Sequence, residues 1–409
     1  VSAVSPGGAD SADEPGPDAG LVEPDPEPSA CSLVPDTCGR PAPSEPTLEG
    51  LTVRAPGPNL TISDALGISN NNVDALWWQG RLWVALRSAS HHHPREDAVL
   101  WVLSTADMID WRVEHSLATG EDLREPNFLT HDGTLRVIFT AVRPTKTTFE
   151  PIEPRLIERS TDGTWSTPRS VGDQGSIVWR VKRRGSEHLL TGYRGIGGFL
   201  DYDNVESLWL RSTDGGESWG PAAGGDGVTI RGGSTESDVV FMDDGSVRAV
   251  TRNDFGDGQG FGAKICSAPA DDLGNWTCAS DRRKFDSPLL FRHGDDLYLL
   301  GRRNLTETGY YDLGQDWLPG ITELATYQGA YWLSPKRCSL WKVDPDTLSV
   351  DFVLDLPSRG DTCFPELVPL DEHSYLVFNY TSPVEGEDLS WRDGQEGLTS
   401  IVYSVLRLP

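Results

Sequence analysis

The sequence predicts an all-β fold, a six-bladed β-propeller with four-stranded antiparallel blades. Three observations predict it. An apolar strand, a Gly or Asp turn and a second apolar strand recur six times along the chain. A second motif, a Ser-x-Asp turn closed by Trp, interleaves with these units. The composition, with 43 Gly, 14 Trp and 2 Met in 409 residues, suits short strands and tight turns better than helical bundles.

The elements follow in chain order. Residues 1–46 hold ten Pro, nine acidic residues and one basic residue. Such a segment buries too little apolar surface to fold, so it reads as a disordered acidic linker, with Cys31 and Cys38 placed to pin it. The propeller is expected over 47–409. Its hairpins cover 73–87, 125–143, 176–194, 236–252, 287–302 and 364–380. Their turns sit near Gly80, Gly133, Gly185, Gly245, Asp295 and His373, at successive intervals of 53, 52, 60, 50 and 78 residues. Repeats of this length mark a propeller or a solenoid.

The turn motif is complete in Ser212–Trp219, STDGGESW. Asp and Gly suit a tight turn, and the Trp can pack between neighbouring sheets. Weaker copies occupy 104–111 and 160–165, with a remote one over 267–276. Each follows a hairpin, where the third and fourth strands of a blade would join, which gives six blades of four strands. The longest interval contains an inserted loop, 304–332, rich in Tyr and Trp. LTVRA (51–55) is placed to close the ring against the last blade. Helices have little support, because apolar residues alternate or run in short blocks bounded by Gly, Asp and Asn.

Charge bounds the partners. The formal net charge is −27, which repels phosphate backbones and anionic membrane surfaces and leaves nucleic acid without support. A local Arg cluster can still hold an anionic ligand. No apolar run reaches membrane-spanning length, and no signal peptide is visible. The six Cys fall into sequence-local pairs, Cys31 with Cys38, Cys266 with Cys278 and Cys338 with Cys363. An even count without CxxC suggests disulfides and a secreted or cell-surface setting. Four sequons, at Asn59, Asn275, Asn304 and Asn379, agree with that setting weakly. No cofactor motif is present. His91–His93 cannot all face one ion from a strand, so they read as an exposed loop and no metal site is expected.

STDGGESW resembles the Asp-box of sialidases and related BNR-repeat proteins, where the box is structural and lies on blade edges. Residues 170–409 resemble more closely a bacterial group of sialidase-family proteins, through the strings IVWRV, TESDVVFMDDGSVRAVTR, SPLLFRHGDDLYLLGRR and LPSRGDTCFPELV. The resemblance implies a sialidase-like propeller and, at its centre, glycan chemistry. Two departures stand out. Sialidases open the first blade with Phe/Tyr-Arg-Ile-Pro, whereas Asn72-Val73-Asp74-Ala75 stands here, so the first carboxylate-binding Arg is missing. Where the last blade of sialidases brings a Tyr nucleophile, Phe364 stands.

Topology suggests the site residues. First strands of propeller blades line the central channel, so hairpin starts and ends converge on one face. Asp74, Arg124, Glu125, Arg180, Glu236 and Asp361 stand at the entrances, and Arg87, Arg194, Arg252 and Arg302 at second-strand ends. Arg groups from several blades suit an anionic group on a sugar, through bidentate charge-assisted bonds. Arg252, Arg302 and Arg180 lead that set, by their place in the resemblance, with Arg87, Arg194 and Glu125 as further substrate contacts. Each equally fits an ion pair with the next blade. Glycosidases need a pair of carboxylates, one of which sialidases replace with Tyr. Glu236, which stands where sialidases carry the Glu that polarises their Tyr, can pair with Asp74 or Asp361 as acid, although turn and cap roles suit these residues as well. Tyr193 can replace the lost hydroxyl, and Tyr310 and Tyr311 can cover the site. The expected function is a secreted sialidase-like glycoside hydrolase acting on an acidic or substituted glycan. The alternatives are a non-catalytic propeller binding glycan or protein at the cell surface, or a polysaccharide lyase.

Overall fold

In the computed structural model, residues 30–54, 65–145, 149–195 and 205–409 are described. They form six antiparallel sheets arranged as the blades of a propeller. The inner strands are Ser69–Trp78, Asp122–His131, Ser176–Arg184, Ser234–Phe241, Leu289–His293 and Glu366–Pro369, one per blade from blade 1 to blade 6. Each pairs with the next strand through a tight turn. Gln79–Gly80 and Asp132–Gly133 have positive φ at both residues, 49° and 71° in the first, 47° and 73° in the second. That geometry matches the right-handed twist of the flanking strands. Blade 3 differs, because its outer edge is split between Gly220–Pro221 and Val228–Arg231.

The ring closes on blade 6. Thr47–Arg54 pairs antiparallel with Ser400–Arg407, so the blade takes its outermost strand from the start of the propeller and the other three from its end. Residues 30–46, the described part of the segment expected to be an extended linker, lie against the same blade. The Cys31 disulfide sulfur contacts the Leu370 carbonyl at 3.0 Å, Gly39 N–H donates to Asp371 at 2.8 Å, and Arg407 donates to the Pro41 carbonyl at 2.6 Å. Ala30 and Leu33 are buried in the core shared by blades 1 and 6. The expectation for residues 1–29 lies outside the described residues.

Between blades the core is aromatic. Trp111 packs into the blade 6–blade 1 core, Trp165 into blade 1–blade 2, Trp219 into blade 2–blade 3, and Trp276 beside Trp209 in blade 3–blade 4. Trp111 is buried, and the other three are partly buried. In the turn before Trp219, Asp214 accepts from Ser218 N–H and Oγ at 3.0 and 2.6 Å and from Ser212 Oγ at 2.7 Å. Burial raises the Asp214 pKa, but these bonds outweigh it and hold the carboxyl at about 2. Blade 5 carries a counterpart unseen in the sequence. Asp344 caps Asp346 and Thr347 N–H, and Leu348, at φ 59°, takes the Trp place against blade 4.

The three disulfides are those expected from proximity, Cys31–Cys38, Cys266–Cys278 and Cys338–Cys363. Asn275 is exposed, Asn304 and Asn379 are buried, and Asn59 lies outside the described residues. No described helix is long and apolar enough to cross a membrane. The insertion read as a loop contains a helix, α1 (Gly320–Trp332). Leu324, Tyr327 and Tyr331 recur at helical spacing and bury one face against Phe261 and Tyr311. A second, short helix, α2 (Trp391–Gln395), starts at Ser390, whose side chain accepts from Asp393 N–H.

Candidate active site

The inner strands share one local device. In blades 1, 2 and 4 the register slips between Asn71 and Asp74, Arg124 and Asn127, and Ser234 and Ser237, so that two residues oppose one. Such a bulge kinks the strand and re-aims a side chain. Asn72 and Glu125 pay for it with positive φ, 50° and 49°. Asn72 and Glu125 are the first residues of their bulges and Glu236 the second of its own, and Asn72 Nδ2 donates to Glu125 Oε1 at 3.3 Å. Two residues further on, the side chains staple the blades. Asp74 accepts from Phe128 N–H at 2.6 Å, Asn127 from Val181 N–H at 2.9 Å, and Asp238 from Leu290 N–H at 2.6 Å.

Glu236 lies opposite Arg252 across its bulge, and the two form an ion pair. Its other oxygen accepts from Ser287 N–H of blade 5 at 2.7 Å. Arg252 also contacts Asp254 at 2.7 Å and Asp286 at 3.3 Å. Arg302 donates to Asp286 at 2.7 Å and to the Thr362 carbonyl at 2.7 Å, and its guanidinium lies 4.5 Å from the Trp391 ring centroid. Lys284, fully buried, pairs with Asp254 at 2.8 Å beneath the rings of Tyr311 and Tyr331. Burial pushes the Asp286 carboxyl up, but Arg252, Lys284 and Arg302 outweigh it and hold it well below the usual carboxylate range.

Among the described residues, Glu125 has no cation at ion-pair distance. Burial raises its pKa to about 8, against the opposing pull of Arg124. Burial raises Glu236 too, but there Arg252 opposes it at ion-pair distance. The Tyr193 hydroxyl is pushed up by burial and then by Glu236 and Glu125, which places it in the field of both carboxyls. Glu236, Arg252 and Arg302 thus form one central group through Asp286, and the charges of Glu236 and Glu125 reach Tyr193.

The other candidates fall elsewhere. Asp74, besides stapling blade 2, couples to Glu366, which pairs with Arg180 at 2.9 Å, and Arg180 lies 4.6 Å from the Phe364 ring centroid. Asp74 and Arg180 are buried and Glu366 is partly buried, between blades 1, 3 and 6. Arg87 is fully buried and held along its Nε–Nη2 edge by both oxygens of Asp122, at 2.6 and 2.7 Å. Arg194 pairs with Glu206 and Asp173 at 2.8 and 3.2 Å, outside the central group. Asp361 is buried and accepts from Tyr380 Oη at 3.0 Å and Trp391 Nε1 at 2.9 Å, while His92 Nδ1 approaches its other oxygen to 2.7 Å. Burial raises Asp361, yet His92 and Arg302 outweigh it and keep the carboxyl below its ordinary value, a state suited to orienting neighbours rather than donating a proton.

His92 corrects the reading of His91–His93 as an exposed loop. The ring bridges blade 1 to blade 6, and its side chain is 17% exposed. Tyr311 is buried and donates to the Asp254 carbonyl at 2.8 Å, so it does cover the cluster, whereas Tyr310 stacks with Arg282. Sequence reasoning missed Asp254, Asp286, Lys284, Tyr380 and Trp391. Acids two residues after Arg252 and one before the SPLLF strand were the available signal.

The disulfide Cys338–Cys363 ties the third strand of blade 5 to the loop that presents Thr362 and Asp361. Cys338 pairs with Arg302 in the sheet, so the bridge fixes both sides of that contact. Replacing both cysteines by Ser opens a loop spanning 25 residues and is expected to cost about 3 kcal/mol. Thermal melts of the double variant check this, and an unchanged midpoint contradicts it.

No protein-family model and no curated protein matches the chain. Solved structures share its fold. A protein of unknown function from Dyadobacter fermentans DSM 18053 superposes with a TM-score of 0.53 at 16% identity, over 84% of this chain and 97% of that one. Trypanosoma rangeli sialidase in complex with sialic acid gives 0.57 at 13%, over 90% of this chain and 59% of the sialidase. Phage phi92 endosialidase gives 0.53 at 9%, over 84% and 69%. The fold is that of a sialidase-like propeller. At such identities the likeness reaches the fold and stops there.

Proposed function

We propose that the central face cleaves a glycosidic bond in a substituted glycan, with Glu125 as proton donor and Glu236 with Tyr193 as the nucleophilic pair. One observation carries this reading. Two carboxyls on inner-strand bulges of the same ring are both raised by burial, but Glu236 carries an ion-paired guanidinium that opposes the rise. Glu236 meets a guanidinium and a backbone N–H, whereas among the described residues the Glu125 carboxyl meets the Asn72 amide alone at hydrogen-bond distance. A neutral acid beside an ion-paired carboxylate is the division of labour glycoside hydrolysis needs. Tyr193 takes the nucleophile's place lost at Phe364, with Glu236 accepting its proton. Three disulfides support an oxidising setting outside the cell or at its surface.

A second reading has its own observation. Asp254 and Asp286 already fill Arg252 and Arg302, so a carboxylate sugar such as the one in the trypanosomal complex must displace them. That favours either a substrate recognised through other groups or binding without turnover.

A panel of aryl glycosides, sialosides and sulfated polysaccharides decides between them. Turnover of one member, lowered about 100-fold or more in Glu236→Gln and Tyr193→Phe, is the expected result. Absence of any product, or full activity in Glu236→Gln, overturns hydrolysis. Glycan-array binding without product then assigns the second reading, and a rise in ultraviolet absorbance from unsaturated product assigns elimination.

A further inference from the structure

We propose that a cavity in blade 5, beside the central cluster, binds a sugar unit bearing a sulfate or phosphate ester. The cavity has a volume of about 260 Å³ and shares Lys284, Arg302 and Tyr331 with the cluster. Its basic lining residues are Arg283, Lys284, Arg302 and Arg303, and its one acidic lining residue is Glu307. Each of the four cations is paired behind the wall, with Asp281, Asp254, Asp286 and Asp355 in turn, so an anion is drawn by the N–H groups left over rather than by net charge.

The donors differ in availability. Lys284 and Arg302 are committed to Asp254 and Asp286. Arg283 is held by Asp281, through Nε at 2.9 Å, and by the Val350 carbonyl, through Nη2 at 2.7 Å. Arg303 is held by Asp355 through Nε and Nη2, at 2.9 and 2.5 Å. Each guanidinium is thus fixed by one edge, and the Nη1 group of each has no acceptor among the described residues. Both side chains remain partly exposed, at 23% and 29%. Stacking sets their planes. Arg283 lies 5.0 Å from the Trp341 ring centroid and Arg303 lies 4.7 Å from that of Phe352, and the two rings meet edge to face at 5.5 Å.

Two pre-oriented guanidinium edges suit an oxyanion with several acceptor oxygens. Their ordering cost is already met by the ion pairs and the rings. The volume exceeds what a bare oxyanion occupies and approaches the lower end of small-ligand pockets. Trp341 and Phe352 offer apolar walls to a sugar ring, and Thr306 and Thr308 line the cavity with hydroxyls. The anion is argued from the cavity alone, and only the sugar rests on the carbohydrate reading of the central face.

Calorimetric titration tests the assignment, with hexose 6-sulfates, hexose 6-phosphates, the unsubstituted hexoses and sodium sulfate as probes. An ester is expected to bind at least tenfold more tightly than its parent sugar. Arg283→Gln/Arg303→Gln is expected to lose at least tenfold, and Arg303→Lys, which keeps a cation beside Asp355, to lose part of that with an unchanged melting temperature. Glu236→Gln is expected to bind as the unmodified chain does, so failure of the hydrolase reading leaves this result standing. A sulfate ion binding as tightly as the esters assigns the site to the free anion. No binding by any ester, or equal binding by the Arg variants, overturns the proposal.

Discussion

Asp286→Asn is expected to destabilise the propeller by about 3–5 kcal/mol, the cost of removing one partner from a buried charge cluster. Asp286 is wholly buried and stands between Arg302 at 2.7 Å and Arg252 at 3.3 Å, with Lys284 close enough to lower its pKa. The amide leaves three buried cations facing Glu236 and Asp254. For a chain of this length the loss corresponds to a fall in melting temperature of about 5 °C. Asp243→Asn is the control, since that residue pairs with Arg292 at the surface with 80% of its side chain exposed. A surface pair of this kind contributes little, because water and salt screen it.

The pH dependence has a definite sign. The folded-state pKa of Asp286 is depressed, so its contribution is fully present above the unfolded value, about 4. It is lost as pH falls through the folded value. The gap between the unmodified chain and Asp286→Asn should therefore be constant at neutral pH and close in acid. Equal melting temperatures for the Asp286 and Asp243 variants would sink the claim that the cluster is tightly coupled.

That cluster marks the boundary between what sequence and structure reveal. Blade number and hairpin positions were readable because each hairpin carries its own turn, such as Gln79–Gly80 or Asp132–Gly133, and its own alternation. Ring closure was expected from one unpaired strand, 51–55, and the strand that closes the ring is Thr47–Arg54. The helix α1 was hidden, because Leu324, Tyr327 and Tyr331 lie within a Tyr- and Trp-rich stretch of modest apolar contrast. Arg252, Arg302 and Glu236 were visible as hairpin ends. Their neutralisation by Asp254 and Asp286 was not, because which acid meets which base is set by how neighbouring blades pack. His92 and Asp361 are 269 residues apart in the chain and 2.7 Å apart in the ring, and only closure of blade 6 on blade 1 brings them together. Asp74 looked like a free carboxylate at a strand start, yet the bulge two residues earlier turns it into a staple.

Glu125→Gln should make the protein more stable in alkali and less active throughout. Burial holds the carboxyl protonated to about pH 8, whereas in the unfolded chain it ionises near 4.3. Between those values the unfolded state releases a proton that the native state keeps. Stability of the unmodified chain therefore falls as pH rises across that window, by up to about 1.4 kcal/mol per pH unit, and levels off above it. Gln cannot ionise, so the variant gains relative to the unmodified chain through the same window. Denaturant melts at pH 5, 7 and 9 should show the advantage growing by a few kcal/mol. Activity should move the other way, falling at least about 100-fold with loss of the proton donor, and the alkaline limb near pH 8 should vanish from the residual rate. The two measurements separate structure from chemistry. A buried acid with no catalytic task gives the stability gain with activity intact. A catalytic acid gives both changes at once, because the desolvation that holds the proton for transfer is the same desolvation that strains the fold.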